Sequence, residues 1–333
     1  MATTVVKTIK SGGDYTTLQT HEDASPANLV TADQIWQGQA SGTFTVAGAL
    51  LVVAGSTVDS TRYYELTTEA GAAYNDNANV QTNRFAFVAA NGCSITDTSS
   101  YTIPITINQE YCRLSNLQVS ATGTSGSSYS IYSQLASGSA NLLIDRCIIE
   151  NFRSSAAFLF GSNEIIRNSL IVQRGSGRGS IASIQNGAQA YNCTFASVGI
   201  ASATVGIIGA YGAATIKNCV ITGCVSVHSG TAPNYTTCVT NVASPPSGCT
   251  TVAHSTANYV QNQGPTYDYR LPLGSGAIDV GTTDATNGAF DAAWTARPQG
   301  SAYDVGAWER VVSAALAKQS RFVRQAVNRA ATY

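Results

Sequence analysis

Charge is what this sequence most lacks. Of its 333 residues only 11% are charged, and the formal net charge is −1. Because the net charge is so small, the chain has no general attraction for phosphate backbones, and we expect no nucleic acid partner. No apolar run is long enough to cross a bilayer, so we expect no membrane partner. The first residues lack the basic start and apolar core of a secretion signal, so we expect none unless it has been removed.

Acidic residues are missing from 165–267 altogether. Glycoside hydrolases need a carboxylic acid paired with a base or nucleophile, and calcium-dependent lyases need acidic ligands for the metal. The gap therefore predicts a protein that is not an enzyme. One alternative stays open, an acid pair formed by Glu150 and Glu164. Asp145 is expected instead to point outward beside Arg146 and Arg167 and to form a surface ion pair of small value.

Motifs for metals and nucleophiles are also missing. His21, His228 and His254 lie in separate regions, and no two cysteines have the tight spacing of a zinc site. The serines lack a Gly-x-Ser-x-Gly elbow. We therefore predict no catalytic residue, no metal and no cofactor.

What the sequence does contain is a repeat. Short similar frames recur every 22 to 30 residues around one key position, which is Cys93, Leu117, Cys147, Ser169, Cys193, Cys219 and Cys249. Residues at the key position and two after it are mostly apolar, as in a strand with one buried face. A repeat of this length with no helical pattern predicts a solenoid.

The residue before the key position breaks the strand phase. An apolar residue three before the key position has the wrong parity for one continuous strand, so the chain must turn between them. The residue at the turn is Asn116, Asn168, Asn192 or Asn218, with Gly92 and Gly248 in two frames and Arg146 as the exception. Asn and Gly tolerate left-handed backbone. Each frame therefore predicts a strand, a sharp corner and a second strand. Stacking of the frames would place Asn above Asn, where the side chains can form a hydrogen-bonded ladder.

Five of the eight cysteines occupy the key position. We expect them to form a column of buried thiols that pack as small apolar groups. Cys112, Cys224 and Cys238 lie outside this register, and a Cys224–Cys238 link across a loop remains open.

The chain divides into four predicted regions. Residues 1–50 form an N-terminal cap, which an open solenoid end requires. Residues 51–267 form the coils, and residues 268–309 close the last one. Residues 310–333 change in composition and form a basic amphipathic helix.

That terminal helix is a candidate interface. Its apolar stripe and basic residues include Val312, Leu316, Phe322, Val323, Val327, Arg321 and Arg324. The helix could dock onto another subunit or an acidic partner, or pack along the solenoid itself. Binding at a membrane surface is a weaker alternative.

Two segments carry a family resemblance. Residues 12–18 resemble the opening of phage-associated β-helix proteins, and residues 268–309 resemble the C-terminal end of right-handed parallel β-helix proteins of bacterial surfaces and bacteriophages. The resemblance implies an all-β, right-handed parallel β-helix. Asp279, Arg297, Asp304 and Glu309 are interpreted as structural hydrogen-bond partners rather than catalysts.

The resemblance and the missing chemistry lead to one functional prediction. We expect a non-enzymatic structural protein of a bacteriophage virion, a head decoration or tail appendage component, forming a homotrimer with other virion proteins as partners. The alternative is a polysaccharide depolymerase, lyase or hydrolase, or a carbohydrate-binding adhesin at a bacterial surface or outside the cell. It would bind surface glycans through exposed aromatic residues such as Tyr129, Tyr132 and Tyr211.

Overall fold

The chain winds into a right-handed parallel β-helix, which confirms the predicted all-β solenoid. The computed structural model describes residues 2–46, 51–77, 84–99, 103–123, 129–135, 141–152, 155–175, 179–198, 205–209, 212, 214–256, 258–262 and 266–311. These residues form three parallel sheets that run the length of the solenoid. No helix within these ranges is long and apolar enough to span a bilayer.

Each coil contributes a strand to every sheet in most of the solenoid. Sheet A contains Thr3–Ile9, Gln34–Ala40, Tyr64–Thr68, Cys112–Ser115, Leu142–Asp145, Ile165–Arg167, Gln189–Tyr191, Thr215–Lys217 and Asn234–Thr236. Sheet B contains Leu51–Val53, Ile105–Ile107, Ile131–Ser133, Ala157–Leu159, Ser180–Ile184, Val205–Gly209 and Ser226–Gly230. Sheet C contains Thr43–Val46, Ser94–Asp97, Gln118–Ala121, Ile148–Asn151, Leu170–Gln173, Thr194–Ser197, Val220–Thr222, Cys238–Thr240 and Cys249–Thr251. Short helices span Leu18–Asp23, Leu29–Ala32, Tyr74–Asn77, Ala89–Asn91 and Ala285–Gly288.

The predicted corners lie between sheets A and C. Left-handed backbone with φ between 49° and 61° is found at Asn116, Asn168, Asn192 and Asn218. Nδ2 of Asn218 donates to Oδ1 of Asn192 at 3.2 Å, so part of the predicted Asn ladder forms. Gly248 is also left-handed, but Gly92 is extended at φ 162° and was wrongly assigned to a left-handed corner. Gly is needed at position 92 because a Cβ there would lie 2.4 Å from the backbone of Tyr74.

The key positions form an inward column, as predicted. Cys93, Cys147, Cys193 and Cys219 are fully buried, and the described cysteines are free thiols. Cys238 belongs to this column too, because it pairs in register with Cys249, and its assignment outside the register was wrong. Its frame was missed because the Asn at the corner is replaced by Thr237, which still adopts φ 51°.

The N-terminal helices cover the first coil. Leu18 and Leu29 are fully buried and belong to the central core. The strands Gln34–Ala40 and Thr43–Val46 already pair within sheets A and C, so the coils begin inside the region predicted as a cap. The cap and the first coil therefore overlap in sequence.

The C-terminal segment does more than close the last coil. Residues 258–262 and 266–311 lie over the outer face of sheet C, and we call them the covering segment. They form a second apolar core with outward side chains of the sheet, which include Ile148, Leu170, Val172, Ala196, Val220 and Val239. The corner amides hold the segment: Nδ2 of Asn168 and of Asn192 donate to the carbonyl of Asn287 at 3.1 and 3.2 Å.

Hydrogen bonds within the covering segment involve Asp279, Arg297, Asp304 and Glu309, as predicted. The guanidinium of Arg297 donates to the carbonyls of Asp304 and Gly306 at 2.7 and 2.8 Å. The Glu309 carboxylate accepts from the amides of Gln299 and Asp304, and burial raises its pKa to about 7. These groups satisfy backbone donors and acceptors that would otherwise be unpaired.

Candidate functional site

Glu150 lies on the outer face of sheet C beneath the covering segment. The Tyr267 hydroxyl donates to its carboxylate at 2.7 Å, and Arg174 contacts the same carboxylate at 3.3 Å. Glu150 is only 1% exposed, and this burial raises the pKa of its carboxyl. Glu150 therefore anchors the covering segment and has no access to a polymeric substrate.

Glu164 is buried in a different part of the molecule. Its carboxylate accepts from the Ser133 hydroxyl and from the Gly161 amide, the latter at 2.9 Å. The residue is fully buried, which raises the pKa of its carboxyl. The structure does not bring Glu164 and Glu150 together on one accessible face, so the acid pair that the sequence left open is not supported.

Asp145 forms the predicted ion pairs, but not at the surface. Its carboxylate lies 2.9 Å from the Arg146 guanidinium and 3.3 Å from that of Arg167. It also accepts from the corner amide of Asn168 at 3.1 Å. Its side chain is only 8% exposed, because the covering segment lies against this corner through the Asn168 contact with Asn287. The Asp145 carboxylate therefore stabilises this corner of the solenoid.

The three histidines remain apart. His21 packs in the cap against Tyr64 and Trp36, and burial lowers its pKa to about 4. His254 bonds Thr222 at 2.7 Å, and the ring of His228 lies against a tyrosine. Within the described ranges no group of three His, Cys, Asp or Glu side chains could hold a metal ion.

An aromatic cluster lies on the outer face of sheet B. Tyr129 stacks on Tyr132 with ring centroids 5.1 Å apart and planes at 17°. Phe158, on the next coil, lies 4.9 Å from Tyr132, and Phe160 stacks 6.1 Å from Phe158. All four residues are partly exposed. The structure therefore gathers four aromatic rings at a surface shared by two successive coils.

Sequence reasoning found half of this cluster. Tyr129 and Tyr132 were expected as exposed aromatic residues, and the structure brings them together. Phe158 and Phe160 were missed, because the short strand Ala157–Leu159 follows a segment without a clear frame. Their alternation around the buried Leu159 was the available signal. Tyr211 lies outside the described residues, as do the candidate interface residues of the terminal helix.

Polar but uncharged side chains surround the rings. Register places Tyr132 and Phe158 in one outward column between Thr106 and Ser183. The next outward column along the strands runs through Asn108, Gln134, Phe160 and Gln185, by continuation of the same register. Asn108 and Gln134 are exposed. The face thus combines apolar ring surfaces with amide groups that can donate and accept hydrogen bonds.

Comparison with known proteins gives structural likeness only. No family model matches the chain, and no curated protein matches it. The solved structure of a pectate lyase is similar over 93% of this chain and 97% of its own, with 12% identity and a TM-score of 0.39. A pectin methylesterase from Aspergillus niger is similar over 84% of this chain and 92% of its own, with 14% identity and a TM-score of 0.32.

These likenesses correct the functional prediction. Both solved structures are of enzymes, so the expectation of a non-enzymatic bacteriophage virion protein is contradicted, and the expectation that the chain is not an enzyme finds no support. At such low identity the likeness concerns the fold, and neither activity is transferred to this chain.

Proposed function

We propose that this β-helix protein binds polysaccharide on the outer face of sheet B. The observation that carries the proposal is the aromatic cluster of Tyr129, Tyr132, Phe158 and Phe160, which remains partly exposed on a regular, rigid sheet. Exposed apolar patches rimmed by polar groups are typical of ligand-binding surfaces.

The chemistry of the face suits a sugar chain. A pyranose ring has one or two faces made of C–H groups, which pack against an aromatic ring, and hydroxyl groups around its edge. The rings of Tyr132 and Phe158 provide the first kind of contact, and the exposed amides of Asn108 and Gln134 provide the second. A rigid sheet also reduces the entropy that the protein loses on binding.

The proposal concerns binding rather than cleavage. In the two outward columns of this face no carboxylate is present, and the acids nearest to the middle of the chain, Glu150 and Glu164, are buried in structural contacts. A general acid must reach the glycosidic oxygen within hydrogen-bond distance. The two outward columns offer no side chain for that role.

A substitution within the cluster tests the proposal. Tyr132→Thr places in the column the residue type found one coil earlier at Thr106, so the strand is retained. The matched control is Tyr191→Thr, which removes a partly exposed tyrosine from the outer face of sheet A. Both variants and the parent are screened on a glycan array and on soluble polysaccharides, and products are assayed for new reducing ends or unsaturated sugars.

We expect Tyr132→Thr to lose at least about tenfold in affinity, as the loss of one well-packed aromatic contact gives. Tyr191→Thr should bind like the parent protein. If no glycan binds the parent, or if both variants bind equally well, the proposal is wrong. Turnover that survives in Tyr132→Thr would place an enzymatic site elsewhere.

A further inference from the structure

We infer that the ligand of the aromatic cluster is a neutral polysaccharide, one without carboxylate or sulfate groups, whose chain crosses from coil to coil. This inference rests on the proposed glycan-binding function and narrows its ligand class. It depends on how charge is distributed among the three sheets.

Sheet B is the uncharged face of the solenoid. Its seven strands contain no Asp, Glu, Lys or Arg. Outward positions of sheet A, in contrast, include Glu65, Arg113, Asp145, Arg167 and Lys217. The low overall charge of the chain therefore does not explain sheet B by itself, because the charges that exist are placed on another face.

Within the described strands of sheet B an acidic glycan would find no Arg or Lys as a counterion. Recognition of carboxylate or sulfate groups usually uses Arg or Lys, which form short, charge-assisted hydrogen bonds. Packing an anionic sugar against the rings of Tyr132 and Phe158 would remove water from its charge without replacing it by a cation. Such desolvation is strongly unfavourable. A neutral sugar loses only hydroxyl hydration, which the amides of Asn108 and Gln134 can replace.

The arrangement of the rings gives the direction of the chain. Tyr132 and Phe158 occupy the same column on successive coils, with centroids 4.9 Å apart. Phe160 lies two residues beyond Phe158 on the same coil, in the column that contains Gln134. A sugar chain that runs along the solenoid axis therefore meets Tyr132 beside Gln134 on one coil and Phe158 beside Phe160 on the next. A chain parallel to the strands would meet the rings of one coil only.

The test compares neutral and acidic polymers in solution. Soluble β-glucan, mannan and galactan serve as neutral probes, and polygalacturonate and alginate as acidic ones. Affinities are measured by calorimetry or affinity electrophoresis at about 0.05 and about 0.5 M NaCl, a range over which exposed charge interactions are screened. Two further variants, Gln134→Lys and Gln134→Ser, place or omit a cation at an exposed position beside the rings.

A neutral polymer should bind with an affinity that changes less than about twofold with salt, and the binding should be lost in Tyr132→Thr. Gln134→Lys should gain binding to polygalacturonate that salt abolishes, whereas Gln134→Ser should not. If the parent binds only acidic polymers and loses them in Tyr132→Thr, the glycan-binding function stands and the neutral ligand class is overturned. If no polymer binds, or Tyr132→Thr binds all of them normally, the function itself fails.

Discussion

Sheets B and C both carry large apolar side chains on their outer faces, but among the residues that the structure describes only sheet C is sealed by its own chain. Tyr259, Tyr267 and Tyr269 of the covering segment are at most 1% exposed against sheet C. On sheet B the rings of Tyr132 and Phe158 remain partly exposed. An outward apolar residue can therefore serve the fold on one face and remain available to a ligand on another.

Sheets B and C also differ in whether the polar groups on their outer faces are buried or exposed. The carboxylate of Glu150 on sheet C is bonded to Tyr267 and Arg174 of the protein itself. The amides of Asn108 and Gln134 on sheet B are exposed to solvent. Burial of an acid in such a network raises its pKa, but here the cause is packing of the cover, and a perturbed pKa does not by itself indicate catalysis.

The largest loss of stability is expected from a buried ring of the covering segment. Tyr269→Ala removes a buried ring that packs on Tyr259 and Tyr267 with centroids 5.4 and 5.8 Å away. The substitution should lower the free energy of unfolding by about 3–5 kcal/mol, because the cavity cannot be filled by solvent or by small movements. Denaturant unfolding measures the loss. A cost below about 1 kcal/mol would mean that the segment does not seal sheet C.

A smaller loss is expected from the acid beneath the cover. Glu150→Ala leaves the Tyr267 hydroxyl and the Arg174 guanidinium without their shared acceptor, and should cost about 3 kcal/mol. Glycan binding on sheet B should not change, because the two faces are separate. Glu150→Gln is the control: it keeps an acceptor for Tyr267 and should cost less. Loss of binding in a folded Glu150→Ala protein would contradict the separation of the faces.

The repeat itself could be predicted because its signals are local. Asn168, Asn192 and Asn218 take left-handed backbone at the corners because Asn does so at little cost, and alternation fixes which residues point inward. Cys238 was not recognised as part of the repeat because Thr replaces Asn at its corner and its coil is short. The available signal was the Cys-x-Thr pattern that it shares with Cys249.

The covering segment and the aromatic cluster were harder to predict because they depend on contacts distant in sequence. Ile148, Leu170 and Val220 point outward in their frames yet are apolar, which a solvent-exposed sheet does not explain. That pattern was the available signal for a cover. Phe158 gave a similar signal on sheet B, but sequence alone does not show which apolar face the chain covers.

The N-terminal cap is a second covered surface. His21 is fully buried there, and burial lowers its pKa to about 4, while the charges of Asp14 and Lys7 act in opposite directions. A depressed histidine pKa means that the unfolded chain binds the proton first, so stability is complete above about pH 6.5 and falls as pH drops toward about 4. From about pH 7 to about pH 5 this group should cost about 2 kcal/mol.

The control for the cap is His21→Asn, which retains a hydrogen-bonding group near the Tyr64 hydroxyl but does not titrate. Unfolding free energies of both proteins are measured at each pH, and the difference isolates His21 from the other titrating groups. The parent should lose more stability than the variant as pH falls. Parallel pH profiles would show that water reaches the cap, and that it is not sealed like sheet C.

The smallest stability effect is expected on the open face. Phe158→Ser introduces the residue type found one coil later at Ser183, in the same outward column. Because the ring is partly exposed, its removal should cost only about 1 kcal/mol, the value of its contacts with Tyr129 and Tyr132. Glycan affinity should nevertheless fall by about tenfold or more. Tyr269→Ala should show the opposite ratio, with large destabilisation and little change in the affinity of the protein that remains folded. A cost for Phe158→Ser close to that of Tyr269→Ala would mean that the aromatic cluster is a second core and not a binding surface.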